Sequence, residues 1–443
     1  MKQKYLLVLA IILSISAWLF TSNFESSQRA VIAITVLAGV LWFTETLPLW
    51  ITALLIAAFL VIFAGTTPTK AFAPFFDPII ALLLGGLFLG RAAQKHYLDI
   101  KIANFFIKYT GTSAKKVLLG VMAATAFVSL WISNTAAAAL LLPVGLSIIK
   151  INKFKFGSNY SKAMVLGVGY SATIGGIGTL VGTPPNLIAV RGLATTAGIS
   201  INFFDWTIRA LPLVVIMIPL AWFMLITLYK PEIKEIKVPK IKNTNLNKKQ
   251  KMILAIFLIT VVLWLTESLH GIHNSVISIL MLVALFGIKL LEGKDVGMIE
   301  WDVLILVGGG LVLGEALVAN NLHKIIASYL TSSLLGYSQI FLFFILGIFA
   351  IVFTAFVANT AAAAILIPVM VPLSTMLGIN PVSMAMLIGI VVSFDFIVPV
   401  GTPPNAMAYG TGYIKVRDMI KAGLMLSILG ALIVTLGAML WIK

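Results

Sequence analysis

The sequence predicts an all-α polytopic membrane protein: eleven transmembrane spans plus two re-entrant hairpins, in two inverted-topology repeats. Three observations predict it. The 443 residues are 60% hydrophobic and only 10% charged, with a mean hydropathy of +1.08, whereas a soluble domain carries about 25% charged residues. Apolar stretches approaching the ~20 residues that a bilayer crossing needs recur along the whole chain. Four short motifs of the first half return in the same order in the second.

In chain order, the spans are read at residues 5–21, 30–43, 47–64, 78–90, 162–181, 208–229, 252–266, 275–288, 303–318, 382–400 and 420–441. No small-residue cleavage pattern follows the first, so it reads as a span and not a cleaved signal. Two further apolar stretches, 117–149 and 339–373, are each interrupted near the middle by a polar triplet, Ser133-Asn134-Thr135 and Ala358-Asn359-Thr360. As one continuous helix each would be about 50 Å long, too long for one crossing. Two half-length helices meeting at a polar tip are expected instead. Residues 99–116 read as an amphipathic surface helix, with 321–334 as their repeat.

The charges fix the orientation. The net charge is +16, and with the N-terminus in the cytoplasm 25 of the 31 Lys and Arg residues fall on the inner side. The C-terminus is then external. The excess basic charge is therefore topology and not a nucleic-acid signal. Cysteine is absent and only four histidines are present, which excludes disulfides and thiol chemistry and argues against structural zinc. The histidines (96, 270, 273, 323) sit in loops or at span ends and are expected to be solvated. With no His, Asp or Glu cluster on one face, an enzyme is not expected.

LWFTETL at 41–47 returns as LWLTESL at 263–269, GGLFLGRA at 85–92 as GGLVLGEA at 309–316, SNTAAAALLLP at 133–143 as ANTAAAAILIP at 358–368, and GTPPN at 182–186 as GTPPN at 401–405. The offsets lie between 219 and 225. Five crossings separate Trp42 from Trp264, and an odd number inverts the second copy. Inverted repeats are a transporter signature, with the site at the repeat interface. The boundaries are drawn at residues 1–110 (spans one to four and an arm), 111–230 (first hairpin, spans five and six), 231–251 (basic cytoplasmic linker), 252–337 (spans seven to nine and an arm) and 338–443 (second hairpin, spans ten and eleven).

GTPPN lies in an apolar context, and Pro184 and Pro403 lack an N–H. The helix is expected to break at Gly182 and Gly401, with the second proline holding the first in extended geometry. Such a break frees carbonyls that suit Na⁺ and helix N-termini that suit anions; the alternative is a packing kink. The hairpin tips supply Ser133, Asn134, Thr135, Asn359 and Thr360, with Ser129 one turn before Ser133 on the same face and Thr354 close to Asn359. Neither motif contains Lys or Arg. An anion bound there needs helix termini and bound cations as counter-charge. Glu45 and Glu267 read as symmetric anchors, and Gly308–Gly310 as a site of close helix packing.

These motifs, SNT at a hairpin tip and GTPPN in a broken helix, both duplicated across eleven spans, resemble the divalent anion/sodium symporter family. The resemblance covers essentially the whole chain. It implies a homodimer in a cell (inner) membrane, with a scaffold of spans one to four and seven to nine, and a transport domain that moves against it as an elevator. It implies one Na⁺ site at Ser129, Ser133, Asn134 and the backbone of Gly182, and another at Thr354, Asn359 and the backbone around Gly401. Substrate carboxylates would meet Asn134, Thr135 and Thr183 on one side and Asn359, Thr360, Thr402 and Pro403 on the other. The implied activity is Na⁺-coupled symport of a C4-dicarboxylate, such as succinate, malate or fumarate. Na⁺-independent exchange, and citrate, sulfate or phosphate as substrate, are the alternatives. The chain departs from the family at Ala358, where Ser is usual, and at Asp395, where the family is apolar; Asp395 is a candidate proton or extra cation site.

Overall fold

The computed structural model describes residues 2–238, 245–399 and 401–441, and the side chains of all of these but residues 2, 103 and 104. The predicted positions Met1, Lys240, Lys242 and Lys443, and Val400 at the end of the tenth span, lie outside the described residues. In order, the helices are α1 (Lys2–Phe20), α2 (Ser26–Thr44), α3 (Leu49–Phe63), α4 (Pro68–Phe72), α5 (Pro78–Lys95), α6 (Leu98–Lys108), α7 (Ala114–Ser129), α8 (Asn134–Ile151), α9 (Asn159–Gly176), α10 (Pro184–Ala197) and α11 (Phe203–Leu228). They continue as α12 (Lys248–Leu265), α13 (Glu267–His270), α14 (Asn274–Gly287), α15 (Trp301–Ala319), α16 (Leu322–Leu334), α17 (Gln339–Thr354), α18 (Asn359–Met376), α19 (Pro381–Val391), α20 (Pro403–Gly410) and α21 (Val416–Leu440). Among the described residues the only β pairing is an isolated bridge between Ser113 and Glu235. Among the described residues, eight segments are long and apolar enough to cross a membrane, and four shorter apolar helices accompany them.

Each predicted span contains a helix, but several boundaries move. Each hairpin is two helices about half the length of its stretch, as expected: α7 and α17 have 16 residues and α8 and α18 have 18, about 24–27 Å. The predicted surface helix at 99–116 ends at Lys108, and residues 114–116 already belong to α7. Its Asp99 is buried, as is His323 at the start of α16, where the ring nitrogen Nδ1 lies 3.3 Å from the Leu317 carbonyl. The remaining histidines also bond to protein: His96 to the Leu290 carbonyl, His270 to that of Leu263, and His273 to the N-terminus of α14.

The helices can be followed as two groups that meet along α15, which also packs on α10 and α18. In one, α2 packs between α1 and α3, α3 packs on α15, α5 on α14, and α12 on both α5 and α14. Gly309 makes the α3–α15 contact possible, since a Cβ there would collide with Ala53. In the other, α9 packs on α7 and α8, and α19 packs on α17, α18 and α21. The short helices that follow the GTPPN breaks exchange partners: α10 lies on α18 and α19, while α20 lies on α8 and α9. Each half thus supplies a helix to the hairpin of the other.

The start of the basic linker is strapped down. The Glu232 carboxylate accepts from the Asn159 and Tyr160 N–H groups at the start of α9, Ala114 donates to the Lys234 carbonyl, and Ile236 donates to that of Thr112. On the first helix group, Asp295 lies fully buried between α14 and α15. It accepts from Arg91 Nε and Nη2 at 3.0 and 2.8 Å and from Lys95 Nζ at 2.7 Å. Burial opposes its ionisation, but Lys95, the Glu292 N–H and Arg91 hold the carboxyl below its ordinary 3.8, at about 2. Because the folded-state value is the lower one, this cluster stabilises fully above pH 3.8 and is lost as pH falls through about 2. Asp295→Asn, which leaves two cations facing an amide, is expected to cost about 3 kcal/mol at neutral pH. Thermal unfolding in detergent should show the gap from wild type closing as pH falls toward 2.

Candidate functional site

The site is built around two places where an apolar helix stops inside the protein. α9 ends at Gly176 and α10 starts at Pro184; α19 ends at Val391 and α20 starts at Pro403. The breaks therefore begin well before Gly182 and Gly401, which stand near the far ends of the unwound segments. The prolines do not hold each other extended. Pro184 and Pro403 are the first residues of new helices, where a missing N–H leaves nothing unpaired. The extended residues are Thr183 (φ −151°, ψ 141°) and Thr402 (φ −137°, ψ 146°).

The freed carbonyls are met by the last residue of each motif. Asn186 Nδ2 donates to the carbonyls of Gly176 at 3.0 Å and Thr179 at 2.7 Å. Asn405 Nδ2 donates to those of Asp395 at 2.6 Å and Val398 at 3.3 Å. Trp206 Nε1 adds a bond to Ile177, and Tyr170 and Ser427 bond to Phe396 and Phe394. The sequence reading missed Asn186 and Asn405, although both belong to the duplicated motif; its signal was there.

The hairpin tips dock onto these segments in matching ways. Ser129 and Thr354 are the last residues of α7 and α17. Ser129 Oγ lies 2.8 Å from Asn134 Oδ1 and 2.6 Å from the Ala172 carbonyl. Thr354 Oγ1 lies 2.9 Å from Asn359 Oδ1 and 2.8 Å from the Val392 carbonyl. A Cβ at Gly176 would collide with Asn134 Oδ1, and one at Gly182 with the Gly176 backbone. Ser129, Asn134 and Gly182 thus gather around Gly176.

Ser133 does not join them. It is the N-cap of α8, so its hydroxyl turns back to accept from the Ala136 N–H at 3.2 Å, and it donates to Glu300 Oε1 at 2.8 Å. Since α7 has ended at Ser129, the two serines do not share a helix face. At the second tip the N-cap is Ala358, and α18 has no side-chain cap.

One cavity of about 400 Å³ is lined by both tips and both breaks: Ser133, Asn134, Thr135, Gly182, Thr183 and Pro184 from the first half, and Ala358, Asn359, Thr360, Gly401, Thr402 and Pro403 from the second. Every predicted substrate residue is on its wall. The first helix group adds Trp50, Leu83 and Leu306, and two acids, Glu300 and Asp302. No Lys or Arg lines it among the described residues. The two acids were invisible to sequence reading because they precede a span and meet the tip only through tertiary packing. Arg191, on α10, is outside that lining; it is ion-paired to Asp77 at 2.9 Å and Glu315 at 3.1 Å, linking the two helix groups.

A family model describing a sodium:sulfate symporter transmembrane region matches residues 2–443. The chain belongs to the divalent anion/sodium symporter family. Among its relatives, the sodium-dependent dicarboxylate transporter SdcS of Staphylococcus saprophyticus is 31% identical over 447 residues, covering 94% of this chain and 86% of that protein. An uncharacterised transporter of Haemophilus influenzae is 31% identical over 436 residues, covering 95% and 93%. The fold resembles the YdaH transporter of Alcanivorax borkumensis and the MtrF efflux pump of Neisseria gonorrhoeae, each with a TM-score of 0.60 at 15% identity. These alignments cover 84% and 88% of this chain, and 85% of each neighbour. The chain is a multi-pass membrane transporter, not an enzyme.

Replacing Asn186 by Ala removes the donor shared by two unwound carbonyls. It should lower stability by about 1–3 kcal/mol, read as a lower unfolding temperature in detergent. Asn405→Ala should do the same in the second half.

Proposed function

We propose that the protein is a sodium-coupled symporter of C4-dicarboxylates, such as succinate, malate or fumarate. The observation that carries this reading is the single cavity walled by both duplicated motifs and free of Lys and Arg. A dianion there already faces Glu300 and Asp302, and in a low-dielectric interior such charges interact strongly. Its counter-charge must come from helix N-termini and from cations that bind with it. The named activity of the SdcS relatives supports the same substrate class and the same ion.

In this reading the oxygens of Ser129 and Asn134 with the backbone near Gly176 and Gly182 hold one Na⁺. Those of Thr354 and Asn359 with the backbone around Gly401 hold another. One carboxylate of the substrate meets Asn134, Thr135 and Thr183; the other meets Asn359, Thr360, Thr402 and the start of α20 at Pro403. Ala358 removes a hydroxyl but also leaves the first N–H groups of α18 uncapped, so that helix N-terminus takes over as donor to the second carboxylate. Ser133 acts by holding the tip against Glu300 and not as an ion ligand.

The helices around α7–α11 and α17–α21 form the moving domain, sliding as an elevator against a scaffold built on α1–α5 and α12–α15. The Ser133–Glu300 hydrogen bond and the Arg191 ion pairs cross that boundary, so they belong to one end of the stroke. The scaffold's outer surface, with exposed Leu258, Ile259 and Val262 on α12, faces lipid or a second protomer of a homodimer. The N-terminus is cytoplasmic.

In proteoliposomes, labelled succinate should accumulate with external Na⁺ and not with choline. Undiminished uptake without Na⁺ would replace symport by exchange. Asn134→Ala and Asn359→Ala should each lower uptake about tenfold or more while leaving the protein folded.

A further inference from the structure

The two breaks differ in charge at one buried position. By the offset of 219 that superposes the GTPPN motifs, Asp395 stands where the first half has Gly176. The second break also begins earlier: α9 runs to Gly176, but α19 stops at Val391, four residues before Asp395. The carboxylate is therefore carried on unwound chain. Asp395 is 1% exposed, and no side chain among the described residues hydrogen-bonds to its carboxylate. It lies against Gly401, where a Cβ would coincide with it. The backbone N–H groups of Ile397 and Val398 act on it, and no cationic side chain does.

Other oxygens of the same segment are without donors. Asn405 is 1% exposed; its Nδ2 donates to the Asp395 and Val398 carbonyls, and its Oδ1 has no partner among the described residues. The buried hydroxyl of Ser393 has no partner either. Gly401, which Asp395 touches, shares the wall of a second cavity of about 220 Å³ with Thr354, Ala358 and Glu45. This cavity adjoins the substrate cavity, with which it shares Ala358 and Gly401.

A buried carboxylate with no cationic partner is strongly unfavourable, and such groups are paired or bind cations. We propose that Asp395 is a cation ligand that gives the second ion site a fixed negative charge, so that this site takes a dehydrated monovalent cation, Na⁺. One carboxylate among neutral oxygens matches a single positive charge; a divalent ion usually recruits several carboxylates. The first site, with glycine at the equivalent position, binds its ion through neutral oxygens alone. The inference rests on the sodium-symport reading and deepens it: the ion held by Asp395 is neutralised by the protein and adds nothing toward balancing the dianion. Transport of a dicarboxylate then needs cations beyond that one.

The test uses the purified full-length protein in detergent, with thermal unfolding followed as Na⁺ replaces choline at constant ionic strength, and with equilibrium dialysis against radioactive sodium. Asp395→Asn and Asp395→Gly are compared with wild type, the second because glycine stands at this place in the first half. Both variants should unfold at a higher temperature than wild type in choline, since an unpaired buried charge is gone. Both should require about tenfold more Na⁺ for half-maximal stabilisation and bind one sodium ion fewer per protomer. Unchanged Na⁺ dependence and sodium count in a folded variant would overturn the assignment of Asp395 while leaving symport intact. A wild-type protein that neither binds nor responds to Na⁺ would overturn both.

Discussion

An unpaired backbone carbonyl is costly in the interior of a membrane protein, and this constraint shapes the whole site. Stopping a helix there is possible only if something receives the groups that the helix gives up. In both halves the asparagine of GTPPN folds back onto the segment before it, and Trp206, Tyr170 and Ser427 complete the work. With those carbonyls satisfied, the prolines can start a new helix whose N-terminus opens into the cavity. The hairpin tips then close against the breaks through Ser129–Asn134 and Thr354–Asn359. Because α10 and α20 pack on the opposite half, the two sets of groups are delivered to one cavity.

The electrostatics follow from what that construction leaves out. A transporter could bind a dianion with arginine, but a permanent cation would also bind it in the absence of coupling ions. Here the cavity wall holds two carboxylates and, among the described residues, no basic side chain. Arg191, the basic residue nearest in chain position to GTPPN, is committed to Asp77 and Glu315. In the proposed symport reading, the site becomes hospitable to an anion only with cations bound beside it, which is what coupling requires.

The sequence carried the architecture because it states it twice. Duplicated motifs at nearly one offset made the halves, the tips and the breaks legible, and most of the residues that line the cavity with them. What it hid depends on side-chain direction and tertiary packing. The start of each break was misplaced because the helices end at Gly176 and Val391, well before the prolines that drew the reading. Ser133 was grouped with Ser129 because spacing along the chain cannot show that a helix has ended between them. Glu300 and Asp302 precede a span, and only the fold brings them across to the first tip. The strapped linker around Glu232 and the buried His323 were hidden for the same reason: polar residues near span ends read as solvated until a partner is seen.

The central claim is that sodium supplies the counter-charge for the substrate, so the two must favour each other's binding reciprocally. The most direct measurement is the equilibrium affinity of succinate for the purified protein across a Na⁺ titration with choline as the balancing ion. The account predicts that succinate binding tightens steadily with Na⁺, by about tenfold or more between choline and saturating Na⁺, and that sodium binding tightens with succinate to the same degree. Succinate affinity that is independent of Na⁺ would contradict it.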